Sequence, residues 1–220
     1  MTIIPERTNW LDTVHLSSGA HNASDNKWCA LEAVAYITGE PHSDHPSCVD
    51  PVIAAFGRAW NDGLPDEDRD RLLKPFLLRM VGTASTPEIQ DRRAFMAADW
   101  AVRVFTPAWL RLASLHDDAT ALEALPEMLS VELCQAAMPV IAKAQKSADA
   151  ARAAARAAAW DAAGAAAWHA ARAAAWDAAW DAARAAAWHA AGNALKQTVT
   201  DLQASASDLL DKMIRLTEQP

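Results

Sequence analysis

Apolar positions recur at helical spacing along most of this chain, and no segment alternates with period two for long enough to predict a strand. Trp28, Leu31, Val34, Ala35 and Ile37 form one face of a helix that opens at Asp25 or Asn26 and closes at Gly39. Val52, Ile53, Phe56 and Trp60 do the same over 51–61, with a stop at Gly63. Pro65 followed by Asp66, Glu67 and Asp68 reads as the first turn of a third helix, where carboxylates meet the positive end of the dipole, and Pro75 is expected to kink it. Thr86, Pro87 and Glu88 open a helix to about Phe105, and Thr106-Pro107 restarts another to about Leu115. From Pro126, the residues Met128, Leu129, Leu133, Ala136, Ala137 and Val140 carry an amphipathic stripe past Pro139 into Ala-rich sequence. Leu195, Val199, Leu202, Leu209, Leu210, Met213, Ile214 and Leu216 give a final amphipathic helix. The expected fold is all-α. A polar segment over 1–24 precedes a multi-helix domain over 25–146, a long Ala/Trp repeat helix over 147–192 and an amphipathic carboxy-terminal helix over 193–220.

The repeat has its own geometry. Trp160, Gly164, Trp168, Arg172, Trp176, Trp180, Arg184, Trp188 and Gly192 follow one another at steps of four, nearly everything between them is Ala, and residues 169–179 and 181–191 differ only by Asp/His exchanges. Ala and Arg are strong helix formers, so the run is expected to be helical, with Gly164 its best break point. Each four-residue step overshoots a helical turn by about 40°, which winds the five Trp side chains around the helix instead of lining them on one face. A spiral of this kind must be surrounded by neighbours or interrupted. Arg156, Arg172 and Arg184 each precede a Trp by four residues, a spacing that permits guanidinium stacking on indole. The run reads either as a docking or self-association rod using Trp160, Trp168, Trp176, Trp180, Trp188, Arg172 and Arg184, or as a helix buried within one molecule. A ligand-binding aromatic ladder is a third reading. His169 and His189 lie about 200° apart around one helix and do not share a ligand there.

Charge is uneven. Residues 1–140 carry 11 Lys/Arg against 20 Asp/Glu, 141–192 carry six against four, and 193–220 carry three against four, within a net charge of −8. Such a chain presents no concentrated basic face for nucleic acid. No run of eighteen uncharged apolar residues predicts a membrane span, and the opening MTIIPERTNWLD lacks the basic-then-apolar pattern of a targeting segment. Three Cys argue against a disulfide scaffold and for a reducing cytoplasm.

Reactive side chains crowd only around residue 45. Cys29, His42, His45 and Cys48, with Asp44 and Glu32 nearby, are ligand types that zinc accepts, and the two-residue gap between His45 and Cys48 is common in metal sites. The competing readings are a redox or nucleophilic Cys, or a turn closed by Ser43 and Asp44, stiffened by Pro46 and flanked by two small buried Cys. Asn61-Asp62 and His116-Asp117-Asp118 read as polar turns that end helices, and 66–71 as a solvated helix face. Together, Cys29, Gly39-Glu40, Ser43-Asp44-His45-Pro46, Cys48 and Asn61-Asp62 resemble the amino-terminal module of uncharacterised proteins from actinobacteria, other bacteria and their phages, over residues 28–112. The Ala-rich tail is similar in composition to some immunity proteins of bacterial toxin systems. These likenesses imply a bacterial or phage cytoplasmic protein in an accessory or conflict setting, and they carry no activity, cofactor or catalytic residue. The expected function is that of a nonenzymatic interaction protein, forming a homo-oligomer or docking on a protein partner through the repeat. The alternative is a small-molecule or metal-binding helical protein, an enzyme among its forms, that uses the loop from His42 to Cys48 or a Trp-lined cavity.

Overall fold

The computed structural model describes residues 3–169 and 177–216, with side chains outside 154–193. Among the described residues the chain is all-α: helices and turns with no strand, the one bridge joining Leu16 to Trp28. The α-helices are α1 Pro5–Thr8, α2 Ala30–Thr38, α3 Pro51–Gly63, α4 Asp66–Met80, α5 Pro87–Trp100, α6 Thr106–Leu112, α7 His116–Glu123, α8 Val131–His169 and α9 Asp177–Arg215. No described helix is long and apolar enough to cross a membrane. Two compact units divide the chain, one of residues 1–98 with 205–220 and the other of residues 99–204.

In the first unit, α2 begins later than the apolar pattern suggests. Asp25 accepts from the Asn22 backbone N–H and closes a 3-10 turn over Ala23–Asp25, after which Asn26 turns left-handed at φ 51°. Cys29 takes the capping position instead: its sulfur accepts from the Glu32 N–H at 3.5 Å while the Glu32 carboxylate accepts from the Cys29 N–H at 2.7 Å. This is a capping box with a thiol where serine or threonine is usual. Gly39, at φ 75°, ends the helix as expected. Asp50 caps α3, accepting from the N–H groups of Val52 and Ile53, and α4 runs through Pro75 to Met80.

The core of this unit holds Leu31, Val34, Ile37, Ile53, Leu73, Leu77 and Met80, and includes Leu210 and Met213 from the last turns of α9. A buried ion pair joins these parts. Arg93 and Asp50 are 2% and 0% exposed and 2.7 Å apart. The Arg93 Nη1 that meets Asp50 also reaches the Thr83 carbonyl and the Ser85 hydroxyl, while Nε and Nη2 donate to the carbonyls of Met213 and Leu216, all at 2.7–2.9 Å. The guanidinium thereby satisfies carbonyls that the end of α9 leaves without an intrahelical partner.

The second unit packs α6 against α7 and α7 against α8 around Leu110, Ala119, Leu122 and Ala144. The expected stop at Phe105 and restart at Thr106 do not occur. The backbone stays helical through a π turn over Ala101–Phe105, and both the N–H and the hydroxyl of Thr106 reach the Ala101 carbonyl. Pro107 has no N–H and its ring crowds the preceding turn, so widening that turn keeps the helix continuous. Helix α6 then ends at Leu112, with Ser114 left-handed at φ 61°. His116, Asp117 and Asp118 open α7 instead of ending a helix, placing two carboxylates at its positive end. Arg103 holds both oxygens of Asp99 at 2.7 and 3.0 Å, and Asp99 accepts from the Met128 N–H. Gly164 lies inside α8 and does not break it.

Replacing Arg93 by Ala leaves the Asp50 carboxylate buried and unpaired, with an expected loss of about 3–5 kcal/mol in urea unfolding. Arg93→Lys recovers only part of it, because an ammonium cannot span the same set of acceptors.

Candidate functional site

The loop that follows α2 is organised by backbone hydrogen bonds. Glu40 accepts from the N–H groups of Ser47 and Cys48 at 2.6 and 3.1 Å. The Ser43 hydroxyl accepts from the His45 N–H, and Arg58 donates to the Asp44 carbonyl at 2.8 Å. The four candidate metal ligands each have a separate partner. His45 pairs with Asp44 at 2.6 Å on the surface, the Cys48 thiol faces the Thr38 hydroxyl at 3.9 Å, Cys29 caps α2, and His42 donates from Nε2 to the His21 carbonyl at 3.0 Å. Among the described residues no group of three or more His, Cys, Asp or Glu side chains is arranged to hold a metal ion. Burial pushes the Cys29 thiol up to about 12 and the Cys48 thiol up to about 11, and nearby Glu32 and Glu40 add to the effect. Both are therefore protonated at neutral pH and poor nucleophiles.

A different cluster converges on residues 15–28. Glu32, 1% exposed, accepts from the His21 N–H at 2.6 Å and from its Nδ1 at 3.0 Å, and lies 3.6 Å from His42 Nε2. Asp70 accepts from the Leu16 N–H and from His15 Nδ1, both at 2.8 Å. Asn61 donates to the Ser17 carbonyl and accepts from the Ala30 N–H, while Asp62 accepts from the Gly19 N–H at 2.7 Å. Asn61-Asp62 is thus a fastening for this segment, with Asn61 buried inside α3. Nor are residues 66–71 simply a solvated face. Arg69 is buried and donates to the carbonyls of Asn61 and Leu64 at the end of α3 and to Asp66. The segment bounds a cavity of about 420 Å³ whose wall includes His15, Ser17, Ser18, His21 and Lys27. Sequence reading missed it because its parts are brought together across separations of up to 55 positions. The one local signal is Glu32, three residues after a capping position.

The second unit carries an apolar groove of about 520 Å³ between Phe105, Trp109, Leu110 and Ala113 on one side and Ala148, Ala151 and Arg152 of α8 on the other. Phe105 and Trp109, whose rings pack 6.1 Å apart, are each 38% exposed. The interaction residues expected in the repeat, Trp160, Trp168, Trp176, Trp180, Trp188, Arg172 and Arg184, have side chains outside the described residues.

The carboxylates of the first unit make its stability acid-sensitive. Desolvation opposes ionisation of Asp70, but the Leu16 N–H, Lys74 and His15 outweigh it and hold its carboxyl below the usual range. At Glu40 desolvation is likewise outweighed, by the Ser47 and Cys48 contacts. A carboxyl whose folded pKa lies below its unfolded value adds stability above the unfolded pKa, about 4, and that contribution is lost as pH falls through the folded pKa. Unfolding midpoints in urea are expected to fall below about pH 4, and Asp70→Asn is expected to lower stability at pH 7 while making this acid dependence shallower. An unchanged pH profile in Asp70→Asn would contradict the assignment. Comparison of the chain with protein-family models, curated proteins and solved structures gives no match.

Proposed function

We propose that this chain is a nonenzymatic helical interaction protein that self-associates, with the groove between α6 and α8 receiving part of the Ala/Trp repeat of a second copy. The observation that carries this reading is the groove itself. Its aromatic side is half-open to solvent, and its α8 wall of Ala148, Ala151 and Arg152 is the beginning of the repeat. Arg152 stands eight residues before Trp160, in the same four-residue register. One copy thus carries both a receptor built of small residues and aromatics and a ladder of indoles suited to fill it, the self-complementarity that a symmetric dimer requires. Burying one Trp removes roughly 150–250 Å² from water, worth several kcal/mol at about 25 cal/mol per Å². Helix-in-groove recognition works through such anchors.

The reading is tested by light scattering behind a sizing column, with the full chain at several concentrations. The expected mass is at least twice the 23.7 kDa of one chain. Trp109→Glu is expected to shift it toward one chain while the helical circular dichroism signal stays in place. A full chain that remains at 23.7 kDa across the concentration range overturns the proposal.

A further inference from the structure

The cavity beside residues 15–28 belongs entirely to the first unit and is independent of the groove. We infer that it is a binding site for a phosphate group, as carried by a small soluble phosphate monoester. The argument starts from which wall groups are already satisfied. Asp66 is paired with Arg69 at 2.6 Å, and Asp70 with Lys74 at 3.1 Å as well as with His15 and the Leu16 N–H. The two acids of the wall are therefore neutralised by cations and donors of the fold. Lys27 and the hydroxyls of Ser17 and Ser18 make no hydrogen bond or ion pair among the described residues. The unpaired groups of the wall are one ammonium and two hydroxyls, and the Glu32 carboxylate lies behind them, 3.0 Å from His21 Nδ1.

The two histidines add directional groups. His21 is turned by the buried Glu32 and His15 by Asp70, in each case through Nδ1. A carboxylate on Nδ1 fixes the proton there and leaves Nε2 for a ligand. His21 is the better positioned of the two, its side chain 10% exposed against 92% for His15. An ammonium, two hydroxyls and imidazole edges arriving from separate residues suit a tetrahedral group with three outward oxygens. A planar carboxylate is better matched by an Arg fork, which this wall does not offer among its described residues. Lys27 serves as the point charge, the hydroxyls donate, and His21 Nε2 accepts the proton of a monoprotonated phosphate or donates once protonated. A volume of about 420 Å³ accommodates the phosphate with a small organic substituent.

Inorganic phosphate is the probe, titrated into the full chain by calorimetry at constant ionic strength. Saturable binding with a Kd below about 1 mM is expected, and Lys27→Ala is expected to weaken it at least tenfold, the effect of losing about 1.4 kcal/mol of interaction. Because Lys27 is exposed and bonds to nothing described, Lys27→Ala keeps the wild-type melting temperature, and Lys27→Arg restores part of the affinity. His21→Gln is expected to weaken binding as well, judged at a temperature where its circular dichroism is that of the folded protein. No saturable heat up to about 10 mM phosphate overturns the inference. So does acetate competing as well as phosphate, or Lys27→Ala binding like the parent.

Discussion

A single buried guanidinium closes the first unit. Arg93 meets Asp50, which caps α3, and it meets the carbonyls of Met213 and Leu216, which end α9. Asp50 in turn accepts from the Ser85 hydroxyl, and its own N–H donates to Thr83. One side chain thus fixes three parts of the chain, the farthest of its partners lying 123 positions from it. Neither partner is tolerable alone: an ionised carboxylate buried without a partner costs several kcal/mol, and so does a buried guanidinium with unmatched donors. The pair itself joins the start of α3 to α5, and the carbonyls of Met213 and Leu216 satisfy guanidinium donors that would otherwise be left unmatched in the interior. Leu210 and Met213 are carried with α9 into the core, where both are fully buried.

The same device recurs at smaller scale. Arg69 satisfies the end of α3, Arg103 with Asp99 ties the π turn to the segment before α8, and Glu40 holds the loop that ends at Cys48. Many residues that look reactive in the sequence are spent on backbone groups that helix ends and loops leave unpaired. Cys29 and Glu32 form a cap, Cys48 is a buried thiol, and Asn61 and Asp62 fasten the amino-terminal segment. This use of polar groups makes the segment around residue 45 a hydrogen-bonded loop.

Periodicity made the helices legible, and the all-α class follows from it. Pro51 with Val52, Ile53 and Phe56 announced α3, and the Leu202, Leu209, Leu210 and Met213 stripe announced the buried end of α9. Boundaries were lost where a residue played a role its type rarely fills. A thiol capped α2, a non-glycine turned left-handed after α6, and a proline was absorbed by a π turn instead of ending a helix. His116-Asp117-Asp118 misled because a polar cluster suits either end of a helix until the neighbouring turn is known. The candidate sites were the least legible. The histidine cavity joins side chains from residues 15, 21, 27 and 70, with Glu32 behind His21, and no local pattern relates them. The groove was hidden for the opposite reason, since Ala148 and Ala151 are indistinguishable in sequence from the other alanines of the run.

The central claim is that the last turns of α9 belong to the core of the first unit and are held there through Arg93. Hydrogen–deuterium exchange of the full chain, compared with Arg93→Ala under conditions where both are folded, tests it most directly. The account predicts that amides of 208–214 are protected nearly as strongly as those of α2 in the parent chain, and that both segments lose protection together in the variant. Rapid exchange over 208–214 in the parent, or a variant in which α2 keeps its full protection while 208–214 opens alone, would contradict it.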